Sequence, residues 1–469
     1  MTRQGETIYR ATLTLLEGRF VDDAALVVID GAITEIIDAE DVEQRLDADS
    51  RLVQLRDVAL IPGQINVHSH AFQRSLRGRT EYRQSPDETD DFWTWRTEMY
   101  RLANRFGPDE MQTVAAMAFL EMARAGISRV GEFHYVHHSP DGDEYDEPME
   151  LAHRIIAAAK QAGIHITMMP VAYHTGGINE PAHHDQRRFI HDDVDTYLRR
   201  VQQLADEFAD DEMVDIGLAP HSIRAVPREW LEEIAEFGAH RDMPVHIHVC
   251  EQRKEVEESR AAFGMPPIEA LSDWGVLAEG WTLIHGTHLS QRELEILEDI
   301  RPTIGACPTT ERNLGDGFLP ASDLVGRGVP IALGSDSHTV IDPFEEMRLV
   351  EYHERLRNEE RNVLVGADGS TTRTADILWP MGTEHGARSL RCSSTAIRED
   401  SSADLVAIDL NHPSIVGAGA DTLLTDVVLS MSPGAVRDVI IGGESVIAER
   451  RHRRGHEIVE AFRAVMEAL

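Results

Sequence analysis

Hydrophobic positions along the chain fall into three regimes. Residues 8–16, 24–29 and 52–60 alternate apolar and polar positions in short runs, the period-2 pattern of strands. The same pattern returns late, at 403–410, 426–429 and 436–447, the last run broken by a Gly442-Gly443 turn. Between these ends the texture changes. Short apolar runs at 60–67, 129–133, 164–171, 215–219, 245–249, 281–285, 303–306 and 330–334 are each followed by a plausible helix or loop. Eight such units predict an α/β chain whose centre is a (β/α)8 TIM barrel, with a small β-sandwich built from both chain ends. The expected division is 1–59 for the first part of the sandwich, 60–390 for the barrel, and 391–469 for the rest of the sandwich with a terminal helix over 456–469.

Composition agrees with this picture and narrows the function. A chain of 469 residues suits one large barrel plus a satellite. No apolar run reaches the length of a membrane helix, and residues 1–10 lack the layout of a signal peptide, so the expected location is cytoplasmic with no membrane partner. Cys250, Cys307 and Cys392 form no CxxC pair, which argues against a thiolate metal site or a disulfide framework. Nucleic-acid binding would need a basic face, so the net charge of −37 disfavours it. Of the 45 basic residues only Lys160 and Lys254 are lysine. An acidic composition with almost no lysine resembles that of proteins from salt-loving microbes, so a halophilic protein is expected, in which salt screens the self-repulsion of so large a charge.

Reactive residues gather where apolar runs end, the end of a barrel strand at which such folds carry chemistry. His68 and His70 share one face of the first run, because strand side chains alternate in direction. The run at 245–249 adds a further imidazole and, three residues beyond His248, the carboxylate of Glu251. His246 and His248 have the same parity, so spacing leaves the choice between them open. His285 and Asp336 close two later runs. Three histidines and an aspartate form the nitrogen and oxygen donor set of a catalytic divalent cation, zinc or iron. Neither lysine falls inside a candidate strand, where a carboxylated lysine would bridge two metals, so one cation is expected.

The segments "HSHAFQRSLRG", "DDFWTWRTEMYR", "GEFHYVHH", "QRRFI", "HSIRAV", "HIHVCEQRKEV", "NLGDGFLPASD" and "LGSDSH" occur in an order that resembles the deaminase branch of the amidohydrolase superfamily. Within that branch they are similar to the deiminases of histidine degradation. The resemblance runs from about residue 60 to 360 and implies a set of roles. His68, His70, His248 and Asp336 match the metal ligands, with zinc the expected metal. Glu251, His285 and Asp336 match the catalytic residues. Gln73, Arg96, Tyr135, His221 and Arg224 match the contacts to a small-molecule substrate that carries two carboxylates and a formimino group. The implied reaction is hydrolytic deimination of N-formimidoyl-L-glutamate, and the implied assembly is a homodimer. Three departures stand out: Cys250 between ligand and catalytic Glu251, Arg312 before "NLGDG", and a long acidic stretch at 80–91. His134, His137 and His138 are expected to pack behind the site, and His174, His183, His184, His191 and His338 to lie in loops.

Two rivals remain at this level. One is a deaminase of guanine, cytosine or an adenosyl compound, whose pocket would not need two arginines for two carboxylates. The other is a barrel that has lost its metal, which should also have lost several ligands. The charge itself yields a prediction. Melting temperature should rise with molar KCl and fall steeply below it, because screening weakens the acidic self-repulsion; a melting temperature unaffected by salt would exclude the halophilic reading.

Overall fold

The apolar run expected as one strand at 60–67 divides at Gly63 in the computed structural model, which describes residues 5–83, 87 and 89–469. Strand Arg51–Pro62 belongs to the sheet made by the chain ends, and Gln64–Ser69 is the first barrel strand. A Cβ at Gly63 would strike the Ser128 side chain and lie 3.3 Å from Asp404 Cβ, so the switch between sheets needs glycine.

Seven further strand positions complete the barrel: Ile127–His134, His165–Ala172, Val214–Ile216 with Ala219–Pro220, Val245–Val249, Trp281–His285, Thr303–Ala306 and Ile331–Leu333. Neighbours pair in parallel. Bridges between Leu218 and Val245 and between Ser69 and Asp336 close the circle. Nearly every barrel-strand residue is buried, because helices cover the outside and side chains fill the inside. That is why these segments read as runs rather than alternations. The fourth strand is broken at Gly217, where a Cβ would come 2.9 Å from Pro244 Cγ and 3.0 Å from Met169 Cγ. The helices begin at local signals. Pro108 opens Pro108–Arg124 with Glu110 accepting from the Gly107 amide at 3.0 Å, and Asp342 accepts from Phe344 N at 3.0 Å to start Pro343–Asn358.

The chain ends form one continuous sheet. Its order is Ser401–Ser402, Ala32–Asp38, Ala24–Ile29, Thr7–Leu16, Arg51–Pro62, Leu405–Asp409, Val436–Ile441, Glu444–Ala448 and Arg451–His452, with Arg19–Val21 beside Thr7–Leu16. The sheet curls so that Tyr9 Oη donates to Gly443 O at 3.0 Å, and it encloses a separate core containing Leu26, Ile33, Val58, Leu60 and Leu405. Helix Gly455–Glu467 ends the described chain and packs against Pro108–Arg124.

One expected strand is a helix. Residues 426–429 belong to Ala420–Leu429, which buries Leu423, Leu424, Val427 and Val428. Those positions recur at helical spacing, and a four-residue apolar run cannot distinguish the two periods. Of the acidic stretch at 80–91, residues 84–86 and 88 lie outside the described residues.

Asp404 joins sheet to barrel. Its carbonyl accepts from Gly63 N at 2.8 Å, and its carboxylate accepts from Gly442 N and Ser402 Oγ, each at 2.8 Å, with His165 Nε2 3.5 Å away. Burial raises its pKa, but His165 and these hydrogen bonds outweigh burial and hold it near 2. A folded-state value below the unfolded one contributes stability above about pH 4 that disappears as pH falls toward 2. Asp404→Ala should therefore destabilise by about 1–3 kcal/mol at neutral pH. Urea unfolding of both proteins should show that gap narrowing between about pH 4 and 2; a constant gap would mean that the charge plays no part.

Candidate metal centre and active site

Three imidazoles converge at the open end of the barrel. His68 Nε2 lies 3.2 Å from His70 Nε2 and 3.1 Å from His248 Nε2. His70 Nδ1 sits 2.8 Å from Phe133 O, and His248 Nδ1 sits 3.1 Å from His221 O. A carbonyl only accepts, so both rings carry their proton on Nδ1 and turn a bare Nε2 lone pair inward. Asp336 Oδ1 is 3.3 Å from His70 Nε2 and 3.6 Å from His68 Nε2. Burial lowers the pKa of all three imidazoles, that of His68 to about 3 despite Asp336, so protonation does not supply the positive charge this cluster lacks. Three converging nitrogens and one carboxylate oxygen suit a divalent cation.

The structure separates the two histidines that parity could not. His248 belongs to the cluster. His246, two residues lower on the same inward face, has Nε2 at 3.1 Å from Ser389 O and takes no part in it. Strand geometry puts such neighbours roughly 6.6 Å apart, one layer of the barrel interior.

His285 and Asp336 occupy the left-handed backbone region, with φ of 76° and 46°. Both stand where a barrel strand gives way to its loop, and each such conformation costs about 1–3 kcal/mol, which the surrounding packing sustains. His285 is enclosed by carboxylates: Glu311 Oε1 is 3.3 Å from Nδ1, and Glu251 Oε1 and Asp336 Oδ2 are 3.7 and 3.9 Å from Nε2. Burial alone would lower its pKa, but Glu251, Glu311 and Asp336 raise it to about 10. Glu251 moves to about 7 because burial, Asp336 and Glu255 raise it while His285 and Arg224 lower it. Burial and the Glu251 charge push Asp316 to about 9.

Above this floor is a pocket open to solvent. His70, Gln73, Arg96, Tyr135, His221, Arg224, His248, Glu251, His285 and Asp336 all line it, joined by Trp95, Tyr100 and Tyr173. His68 lies beneath, fully buried. Every residue expected at the site is therefore in one place. Gln73 Nε2 donates to Tyr135 Oη at 2.7 Å, while Gln73 Oε1 has no partner. Helix Phe92–Ala103 brings Arg96 over the pocket, its first turn capped by Asp91, which accepts from Trp93 N at 2.9 Å and Thr94 N at 3.2 Å. Among the described residues neither Arg96 nor Arg224 has a carboxylate oxygen within ion-pair distance, and Arg224 Nε is buried without a hydrogen bond.

Several participants were not assigned from the sequence. Glu255, Glu311 and Asp316 form the acidic surroundings of His285 and Arg224, although each lies in or beside a segment singled out for other residues. Glu132 accepts from Ser69 Oγ and from Ala71 N at 2.8 Å behind the imidazoles, and burial raises it to about 8. His338 lies outside regular structure, as expected of a loop residue. It is nonetheless fully buried, with Nε2 3.0 Å from Ser69 Oγ and Nδ1 3.0 Å from Ser335 Oγ. His134, His137 and His138 are buried, the latter two against Val171 O and Ile190 O.

A closed (β/α)8 barrel with an N3O cluster at its strand ends defines a class of metal-dependent hydrolases. The amidohydrolase family profile matches residues 59–446, and the chain belongs to that family, whose members are typically metal enzymes. It is 36% identical over 441 residues to a Pseudomonas aeruginosa protein named formimidoylglutamate deiminase, covering 94% of each chain. A Brucella melitensis amidohydrolase structure superposes with a TM-score of 0.88 at 32% identity, covering 98% of this chain and 99% of the other. A Xanthomonas campestris adenosine deaminase with bound zinc shares the fold, with a TM-score of 0.80 at 23% identity and 99% of each chain covered.

Proposed function

We propose that this enzyme hydrolyses N-formimidoyl-L-glutamate to N-formyl-L-glutamate and ammonia, as a step of histidine degradation. The observation that carries the reading is the pair of guanidiniums, Arg96 and Arg224, that have no ion pair among the described residues and line a pocket of a chain with 82 acidic residues. An isolated positive group in such a protein is kept for an anion the protein does not contain. The relative named formimidoylglutamate deiminase supports the same reading. A planar nucleobase has no use for two free guanidiniums, which disfavours the guanine, cytosine and adenosyl alternatives.

His68, His70, His248 and Asp336 would hold one divalent cation, zinc by donor type. When bound it supplies Lewis acidity that lets a water molecule ionise near neutral pH. Arg96 and Arg224 bind the substrate carboxylates, with Tyr135, His221 and Gln73 giving further hydrogen bonds. That places the formimino carbon over Asp336, Glu251 and His285. Asp336 takes the proton released as water adds to that carbon, and His285 stabilises the tetrahedral adduct. Glu251, near 7 and thus poised to hold or give a proton at neutrality, protonates the terminal nitrogen. The carbon–nitrogen bond then breaks, ammonia leaves and the formyl carbonyl remains.

Metal analysis should find about one tightly held divalent ion per chain, lost in His248→Ala and kept in His246→Ala. Two tightly held ions, or the reverse pattern, would contradict the assignment. Glu251→Gln should cut turnover by roughly 10²–10⁴ while keeping the ion. Arg96→Met and Arg224→Met should mainly weaken substrate capture, by about 2–5 kcal/mol each. Formamide and glutamate as products, or faster release of ammonia from guanine, would sink the substrate assignment.

A further inference from the structure

Three cations meet on one indole, and two of them, Arg96 and Arg224, line the pocket. The Trp93 ring has Arg96 Cζ 4.4 Å, Lys254 Nζ 4.3 Å and Arg224 Cζ 6.0 Å from its centroid. Arg96 also lies 5.5 Å from the Tyr100 ring. Lys254 is one of two lysines in the chain, and it makes a 3.7 Å ion pair with Glu258 within its own helix, Arg253–Phe263. That helix starts two residues after Glu251, so the Trp93–Lys254 contact links the helix carrying Arg96 to the segment carrying the catalytic carboxylate.

Like charges gathered at this spacing repel, and an indole face offsets only part of that repulsion. The opposite arrangement holds deeper in the pocket, where Glu251, Glu255, Glu311, Asp316 and Asp336 surround a single imidazole, His285. The site therefore runs from a carboxylate-rich floor, where the metal would bind, to a cationic rim. A molecule with a cationic amidine at one end and carboxylates at the other matches that polarity along its length.

We infer that Trp93 is an aromatic post holding Arg96, Arg224 and Lys254 as a cationic collar, and that Lys254 reads the side-chain carboxylate of the substrate. The inference rests on the substrate reading above and adds to it a specificity-determining lysine and the ring that positions it. The side-chain carboxylate is the one farther along the molecule from the formimino carbon, so with that carbon at the floor it reaches the rim. Trp93 acts through the cations it orients and need not touch the reacting atoms. Because Lys254 is exposed, its contribution is largest at low ionic strength.

The test uses the zinc-loaded enzyme at the lowest KCl concentration at which its melting curve shows it folded, because salt screens the contact made by an exposed lysine. Lys254→Met should raise KM for N-formimidoyl-L-glutamate about three- to tenfold with kcat little changed, and Lys254→Arg should restore most of the loss. N-formimidoylglycine, which lacks the side-chain carboxylate, should be turned over equally well by parent and Lys254→Met. Trp93→Ala should raise KM and make the further change Lys254→Met nearly silent, whereas Trp93→Phe keeps the post. Calorimetric binding of glutarate should weaken in Lys254→Met by a similar factor. An unchanged KM and glutarate affinity, a loss confined to kcat, or an equal loss with N-formimidoylglycine would overturn the collar. If glutarate binding depends on Lys254 but the formimino compound is not hydrolysed, the substrate reading falls and the collar stands.

Discussion

Closure of the barrel between its first and last strands is the constraint on which the site depends. Ser335 N and Asp336 N both donate to His68 O, at 3.1 and 3.0 Å, and His70 N donates to Asp336 O at 3.2 Å. These bonds join residues more than 260 positions apart in sequence and set an imidazole pair against a carboxylate. Asn66 reinforces the seam, donating to Ser335 Oγ at 2.7 Å and accepting from Ser335 N at 3.0 Å. Ser69, His338 and Glu132 extend the network behind it. A buried network of this kind holds its members in one arrangement because any slip leaves a polar group unsatisfied in low dielectric. A shift in strand register would therefore break the hydrogen bonds and disperse the metal ligands together.

The acidic composition changes meaning once positions are known. Most arginines whose pairs are resolved meet a surface carboxylate, as Arg154 does with Asp109 and Glu150 and Arg454 does with Glu457. Exposed pairs of that sort contribute little to stability. Against that background Arg96 and Arg224, which have no ion pair among the described residues, are conspicuous, and so is the crowd of carboxylates at the pocket floor. Desolvation has raised Glu251 and Asp316 far above ordinary carboxylate values. Such perturbation marks places where charge is kept for a reaction rather than for folding.

Each end of the chain is tied to the barrel by specific polar contacts rather than by apolar packing alone. Asp404 bonds the sheet to Gly63 at the point where the backbone crosses into the barrel. Gly63 lets the two sheets approach, since a side chain there would collide with Ser128. The crossing fixes where the first barrel strand starts, and hence how far along it His68 and His70 fall.

Much of this was legible in the residues themselves. Apolar runs spaced by helical stretches determined the barrel, because strands buried on both faces must be apolar throughout. Strand parity paired His68 with His70, and their position at the end of a run marked the catalytic end of the barrel. Other features could not be read, for physical reasons. Parity repeats every two residues and carries no depth, so only the tertiary structure separated His248 in the cluster from His246 against Ser389. The run at 426–429 was too short to reveal its period, and its helix forms because Leu423, Leu424, Val427 and Val428 find one common surface to bury against. Glu311, Asp316 and Glu132 are ordinary acidic letters in a sequence full of them; burial beside particular neighbours gives them their chemistry. That Arg96 and Arg224 form no ion pair among the described residues, and that Lys254 meets Trp93, are relations among side chains from segments far apart in the sequence, and folding alone decides them.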